Sequence, residues 1–212
     1  MIKAVKNNAI YVAGTILFVL LGTLIILLNN KTQLHINMIP THTELLDDFF
    51  TYITYLGDGL ITGLLLLMIC AFLYSKHQWR TFLLAAMTML ITGIIVYVMK
   101  QVIFPDALRP ALFIDKNLLQ LVPGVEIHEK HSYPSGHTSA AFAFFALISH
   151  LFFQSKKVLQ VIPLALAILV GYSRIYLSQH FLEDVVTGAL IGTLSFVLAH
   201  LIFKQVVQKS TL

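Results

Sequence analysis

Six stretches of the chain, residues 10–28, 60–74, 81–99, 137–155, 158–173 and 185–203, contain no Asp, Glu, Lys or Arg. In hydrocarbon a backbone must satisfy its own N–H and C=O groups, so apolar runs of this kind predict transmembrane helices. Composition agrees: 58% of residues are hydrophobic, 11% are charged and the mean hydropathy is +0.83. Soluble domains carry about 25% charged residues. The expected fold is therefore all-α, a six-transmembrane-helix bundle forming one membrane-embedded domain over residues 1–212.

Several function classes fall away at this point. The net charge of +4 could suggest nucleic acid, but no basic cluster exceeds the Lys156/Lys157 pair, too little to track a phosphate backbone. Cys70 is the only cysteine, which excludes an intrachain disulfide and a cysteine metal cage. The first apolar run follows Lys3 and Lys6, is uncharged from Asn7 to Asn30 and shows no small-residue cleavage site before Asn29. It reads as a retained anchor, not a signal peptide.

Between the first two spans, Thr41 and Glu44 have the spacing of a capping box. Leu45, Leu46, Phe49, Phe50, Ile53 and Leu56 then recur at helical spacing, with Asp47 and Asp48 opposite, predicting an interfacial helix on the membrane surface. Gly57-Asp58-Gly59 ends it. The connection 100–136 carries Pro105, Pro110, Pro123 and Pro134, so no single regular element is expected there.

Six spans place both termini on one side. That side holds Lys3, Lys6, Lys76, Arg80, Lys156, Lys157, Lys204 and Lys209, against Lys31, Lys100, Arg109, Lys116, Lys130 and Arg174 on the other. The positive-inside bias then sets the termini in the cytoplasm of a cell (inner) membrane protein. The outer, periplasmic face collects Lys100 and Arg109 after span three, Ser135-Gly136-His137 before span four, Ser173-Arg174 at the end of span five, and His180 with Asp184 at the start of span six.

Spans four and six point helix N-termini at this same space, which favours an anion. Arg109 and Arg174 offer planar forks to phosphate oxygens and Lys100 a point charge. Ser135 stands at an N-cap position, and Gly136 permits close backbone approach. His180 and Asp184 are four residues apart, so the carboxylate can fix the imidazole tautomer and leave a neutral, nucleophilic ring. His137, across the site, can protonate a leaving oxygen.

These residues resemble the motifs of the type 2 phosphatidic acid phosphatase family, which is related to bacterial acid phosphatases and vanadium haloperoxidases. Its patterns are K-x6-RP, PSGH and SR-x5-H-x3-D. Pro134-Ser135-Gly136-His137 matches the second in full, and Ser173-Arg174, His180 and Asp184 match the third in residues and spacing. The first departs, with eight residues between Lys100 and Arg109-Pro110; a bulge near Pro105 is expected to absorb the excess.

The resemblance implies metal-free dephosphorylation without a cofactor. In it His180 attacks phosphorus to give a phosphohistidine, Asp184 supports His180, and His137 is the general acid. Lys100, Arg109, Ser135, Gly136 and Arg174 bind the phosphoryl group. The implied partners are the bilayer and a membrane lipid phosphate, with no obligate protein partner: undecaprenyl diphosphate, phosphatidylglycerol phosphate, phosphatidic acid or phosphorylated lipid A. A lipid phosphotransferase would use the same intermediate, and an anion transporter lined by the Arg and His residues is the reading from another class. Glu126, His128, Glu129 and His131 read as solvated loop residues, without a recognised metal-ligand spacing. Glu183 reads as a solvated or headgroup-facing side chain.

Overall fold

Apolar runs dictate helices here, and small residues decide how closely the helices approach. The structure, a computed structural model, describes residues 3–72 and 78–209. Lys76, counted above on the side of the termini, lies outside the described residues. The principal helices are α1 (Ala9–Leu28), α2 (Lys31–Met38), α3 (Glu44–Ile53), α4 (Gly59–Phe72), α5 (Gln78–Val98), α6 (Gly136–Phe152), α7 (Val161–Tyr176) and α8 (Leu182–Lys209). No strand occurs among the described residues.

Four stretches, Ala9–Leu28, Trp79–Ile103, Lys157–Tyr176 and Leu182–Gln205, are long and apolar enough to cross a membrane. Glu44–Gly57 and Gly59–Ala71, which meet at a 63° bend, would make a fifth if taken as one broken span. The sixth apolar helix, α6, has only 17 residues, or roughly 25 Å at 1.5 Å per residue. It is the central helix: every residue from Thr138 to Leu147 is buried, and α8, α7 and α5 pack around it. The outer helix α1 instead turns Leu17, Leu20, Leu24, Leu27 and Leu28 outward, as lipid contact requires.

The α6–α8 contact is set by Gly188 and Gly192, four apart on one face of α8. A Cβ at Gly188 would stand 2.7 Å from the Ser135 carbonyl oxygen, and one at Gly192 2.3 Å from that of Ser139. Such small-xxx-small faces let helix backbones meet where no hydrophobic force drives helices together. The contact also fixes Ser135, the second residue of the PSGH turn, against the start of α8.

The short helix Lys3–Asn7 and the last turns of α8 lie at the other end of the bundle. There Asn8 Nδ2 donates to the Ala146 carbonyl across 3.0 Å, and the buried Gln160 accepts from the Ile10 N–H at 3.1 Å.

Two local expectations need correction. Thr43, not Thr41, caps α3, its hydroxyl accepting from the Leu46 N–H. Residues 31–38 form α2, which Asn30 caps through the N–H groups of Thr32 and Gln33. Asp47 is not on a free polar face: its Oδ1 accepts from the Tyr176 hydroxyl at 2.5 Å and faces His42 Nδ1 at 2.8 Å. The Phe50 ring packs against Tyr176 beside it, the two rings tilted by 33°, so α3 is docked on α7.

Candidate active site

The sequence places its polar knots at helix ends, and each end is shaped by a local device. Ser135 caps α6, accepting from the N–H and the hydroxyl of Thr138 at 3.3 and 2.8 Å. Asp184, in the first turn of α8, reaches back to the Phe181 N–H at 3.0 Å, the acidic half of a capping box. The Asp184 carbonyl then accepts from the Ser135 N–H at 3.0 Å, stitching the two helix starts together.

His180 precedes α8 instead of lying on it, so it does not share a helical face with Asp184 as spacing suggested. The two still meet, because the cap turns the carboxylate toward the ring: Nδ1 lies 3.2 Å from Asp184 Oδ2. Both are almost fully buried. Burial first, then the charges of Arg109, Arg174 and Lys100, holds the His180 imidazole well below its usual pKa. The ring is therefore neutral at pH 7, with Nδ1 beside a carboxylate acceptor and Nε2 left for chemistry.

Lys100 enters the site despite the longer spacing. The last turn of α5 widens into a π turn, Met99–Ile103, closed by the Phe104 N–H on the Met99 carbonyl at 2.8 Å. A π turn takes up an extra residue inside a helix, and it does so a few residues before Pro105, where the bulge was expected. From it the Lys100 ammonium donates to the His131 carbonyl and reaches that of Ser132 at 3.5 Å. Its Cε would lie 3.9 Å from a Cβ at Gly136.

Arg109 is held by the loop itself. The Arg109 N–H donates to the Glu129 carbonyl and the Ser132 N–H to that of Ala107, at 2.8 and 2.9 Å. The guanidinium donates through Nε to the Lys130 carbonyl and through NH1 to the carbonyl and Oε1 of Gln179. Burial lowers the Arg109 pKa and Asp184 opposes that shift; an arginine remains cationic through such changes.

Arg174, from the end of α7, is 7% exposed. NH1 donates to Thr54 Oγ1 at 2.8 Å, while Nε is buried without a hydrogen-bond partner. His137, in the first turn of α6, has Nε2 4.0 Å from Asp58 Oδ2.

All eight residues singled out in the sequence thus line one end of the bundle. Four others belong with them. Ser132 donates to Asp184 Oδ2 at 2.5 Å and stands 3.4 Å from His180 Nδ1. Gln179 positions Arg109, Thr54 anchors Arg174, and Asp58 faces His137. Only Ser132 and Gln179 adjoin a motif in sequence; Thr54 and Asp58 are brought in by the bend between α3 and α4. His131 and Ser178 adopt positive φ, 54° and 50°, each at a cost of order 1 kcal/mol, and both lie in the loops that carry site residues. Glu183, read as solvated or headgroup-facing, is partly exposed and pairs with Lys31 at 2.6 Å. His131, read as solvated, has Nδ1 3.2 Å from the Lys100 carbonyl.

The chain is similar to known proteins. The chain is 43% identical over 81 residues to Phosphatidylglycerophosphatase B of Bacillus subtilis, a match covering 34% of this chain and 39% of that protein. It is 29% identical over 160 residues to Undecaprenyl-diphosphatase BcrC of the same organism, covering 73% and 76%. Among solved structures, Aquifex aeolicus LpxE superposes with a TM-score of 0.65 at 29% identity, covering 79% of this chain and 92% of that one. The transmembrane PAP2 type phosphatidylglycerolphosphate phosphatase of Bacillus subtilis gives 0.62 at 25% identity, covering 92% and 96%. The PAP2 superfamily model matches residues 81–208, well over half of the chain, and the protein belongs to the PAP2 superfamily.

Proposed function

We propose that the protein is an integral-membrane phosphatase that hydrolyses the phosphate of a lipid phosphate or diphosphate through a phosphohistidine. The observation that carries this reading is the buried, neutral His180, backed by Asp184 at 3.2 Å and sharing its space with Lys100, Arg109 and Arg174. His180 Nε2 attacks phosphorus while the leaving oxygen takes a proton from His137, so a P–N bond forms as a P–O bond breaks. Water then attacks the phosphohistidine, returning its proton to His137 and freeing phosphate and His180. The three cations and the N-terminus of α6 stabilise charge on the transferring group. No step calls for a metal or cofactor.

A lipid substrate is supported by the apolar surroundings. A cavity of about 320 Å³ runs between α4 and α5, lined by Gly59, Gly63, Leu67, Cys70, Phe82 and Met89 among others. It begins at Gly59, next to Asp58 and hence beside His137, so a lipid could rest a tail there while its phosphate reaches the site. Relatives named for phosphatidylglycerophosphate, undecaprenyl diphosphate and lipid A supply the substrate candidates. In this reading the protein sits in the cell membrane with six crossings, cytoplasmic termini and the site at the periplasmic face. Purified protein in detergent, offered a panel of these lipids with chelator present, is expected to release inorganic phosphate from at least one. Release that survives His180→Ala would sink the mechanism.

A further inference from the structure

The loop that bends between α3 and α4 is not part of the sequence motifs, yet it touches two of their residues. Its one-turn helix, Thr54–Gly57, receives Arg174 NH1 on Thr54. Its last residue, Gly57, lies so close to α6 that a Cβ there would stand 2.5 Å from the His137 carbonyl oxygen. The next residue is Asp58. Its Oδ1 accepts from the N–H groups of Leu60 and Ile61 at 2.9 and 3.1 Å, capping α4, and this fixes the carboxylate. Its free oxygen, Oδ2, is the one 4.0 Å from His137 Nε2.

We infer that Asp58 is a positioning residue for His137, forming a second His–Asp pair that stabilises the protonated imidazole needed to donate to the leaving oxygen. The inference rests on the phosphatase reading above. A general acid must carry a proton, and this one stands among cations. The charged groups acting on His137 are Arg174 from α7, Asp58 from the bend, Arg109 from the 104–135 loop and Lys100 from the end of α5. Asp58 is the one carboxylate among them. At 4.0 Å it acts through charge and not through a hydrogen bond. The proton balance leaves Asp58 unchanged: the His137 proton passes to the leaving oxygen as P–O breaks, and the attacking water returns one to the same ring as P–N breaks. Asp58 favours the charged ring before the first transfer and after the second.

Asp58→Asn separates charge from structure, because Asn caps a helix as well as Asp does. With a lipid phosphate, whose alkoxide leaving group needs the proton, kcat of D58N is expected to fall about 10-fold, the scale of a weakened general acid. With p-nitrophenyl phosphate, whose leaving group departs unprotonated, the rate of the first nitrophenolate burst, which forms the phosphohistidine, should change less than about twofold. The alkaline limb of kcat for the lipid should move to lower pH in D58N, because the imidazolium gives up its proton more readily. Asp58→Ser, which also keeps a capping oxygen, should behave likewise, and serves if D58N fails to fold. Wild-type kcat and an unmoved alkaline limb in a folded variant would overturn the inference while leaving the phosphatase reading intact. A wild-type protein that releases no phosphate from any of these substrates would overturn both.

Discussion

Ser132 and Asp184 are joined by a hydrogen bond of 2.5 Å, the serine hydroxyl donating to the carboxylate oxygen that also faces His180 Nδ1. Asp184 Oδ2 is thus held by the Ser132 hydroxyl and the Phe181 N–H at one position beside the ring. A hydrogen bond to a charged group contributes about 1.5–3 kcal/mol, so Ser132→Ala should lower kcat roughly 10- to 100-fold. KM should stay near its wild-type value, since Ser132 orients the base pair without binding substrate. Steady-state kinetics on a lipid phosphate reads this directly.

The electrostatics of His180 set a pH dependence. Burial and three cations lower its pKa well below 6.5, so as pH falls the ring keeps its neutral, nucleophilic form past the usual histidine range. The acid limb of kcat/KM due to His180 should therefore lie below pH 6.5, and Arg109→Gln should move it upward. Stability follows the same sign. An unfolded histidine takes up its proton near pH 6.5 and the folded one does not, so stability is lost as pH drops below that value. His35, buried in α2 with its pKa lowered to about 4 mainly by burial, with a further contribution from Lys31, adds to the loss between pH 6.5 and 4. Thermal melts of His35→Asn should show a shallower decline across that window.

Helix approach gives a stability prediction. At Gly192 an added methyl would meet the Ser139 carbonyl oxygen at 2.3 Å and the Ala143 nitrogen at 2.8 Å, backbone atoms that cannot swing aside. Gly192→Ala should destabilise the protein by about 1–3 kcal/mol or more, the usual scale of overpacking. Its unfolding temperature in detergent should fall. Gly188→Ala should also cost activity, because the methyl would press on the turn that carries Ser135.

The cavity between α4 and α5 can be filled without touching the phosphate residues. A Cβ at Gly63 would meet nothing within 4 Å, so Gly63→Leu fits the fold while occupying the groove. KM for a long-chain lipid phosphate should rise several-fold, and hydrolysis of a short-chain, soluble phosphate should be unchanged. Equal effects on both would remove the tail groove from the account.

Much of this was legible in the sequence because the demands of a bilayer are one-dimensional. Uncharged runs had to be helices, and the motifs stood at their ends, so His137, Arg174, His180 and Asp184 could be placed in one space by topology alone. What stayed hidden depended on geometry that a linear pattern does not carry. The π turn at Met99–Ile103 has no distinctive composition, yet it brings Lys100 into range. Asp58 read as a helix-breaking residue between two glycines, and only the 63° bend turns it toward His137. The spacing of His180 and Asp184 suggested a shared helical face, whereas a reversed cap joins them. The short α6 read as one span among six; its burial on all sides follows from Gly188 and Gly192, whose role needs the partner helix to be seen.

The central claim is a covalent bond between phosphorus and His180, and a rapid-quench experiment tests it most directly. Wild-type protein mixed with a lipid phosphate labelled on phosphorus and quenched in alkali within its first turnover should carry label that is stable in base and lost in acid, as a phosphohistidine is. His180→Ala, folded by its thermal melt, should carry none. Label retained in that variant, or hydrolysis in the wild type with no labelled protein at any time, would contradict the account.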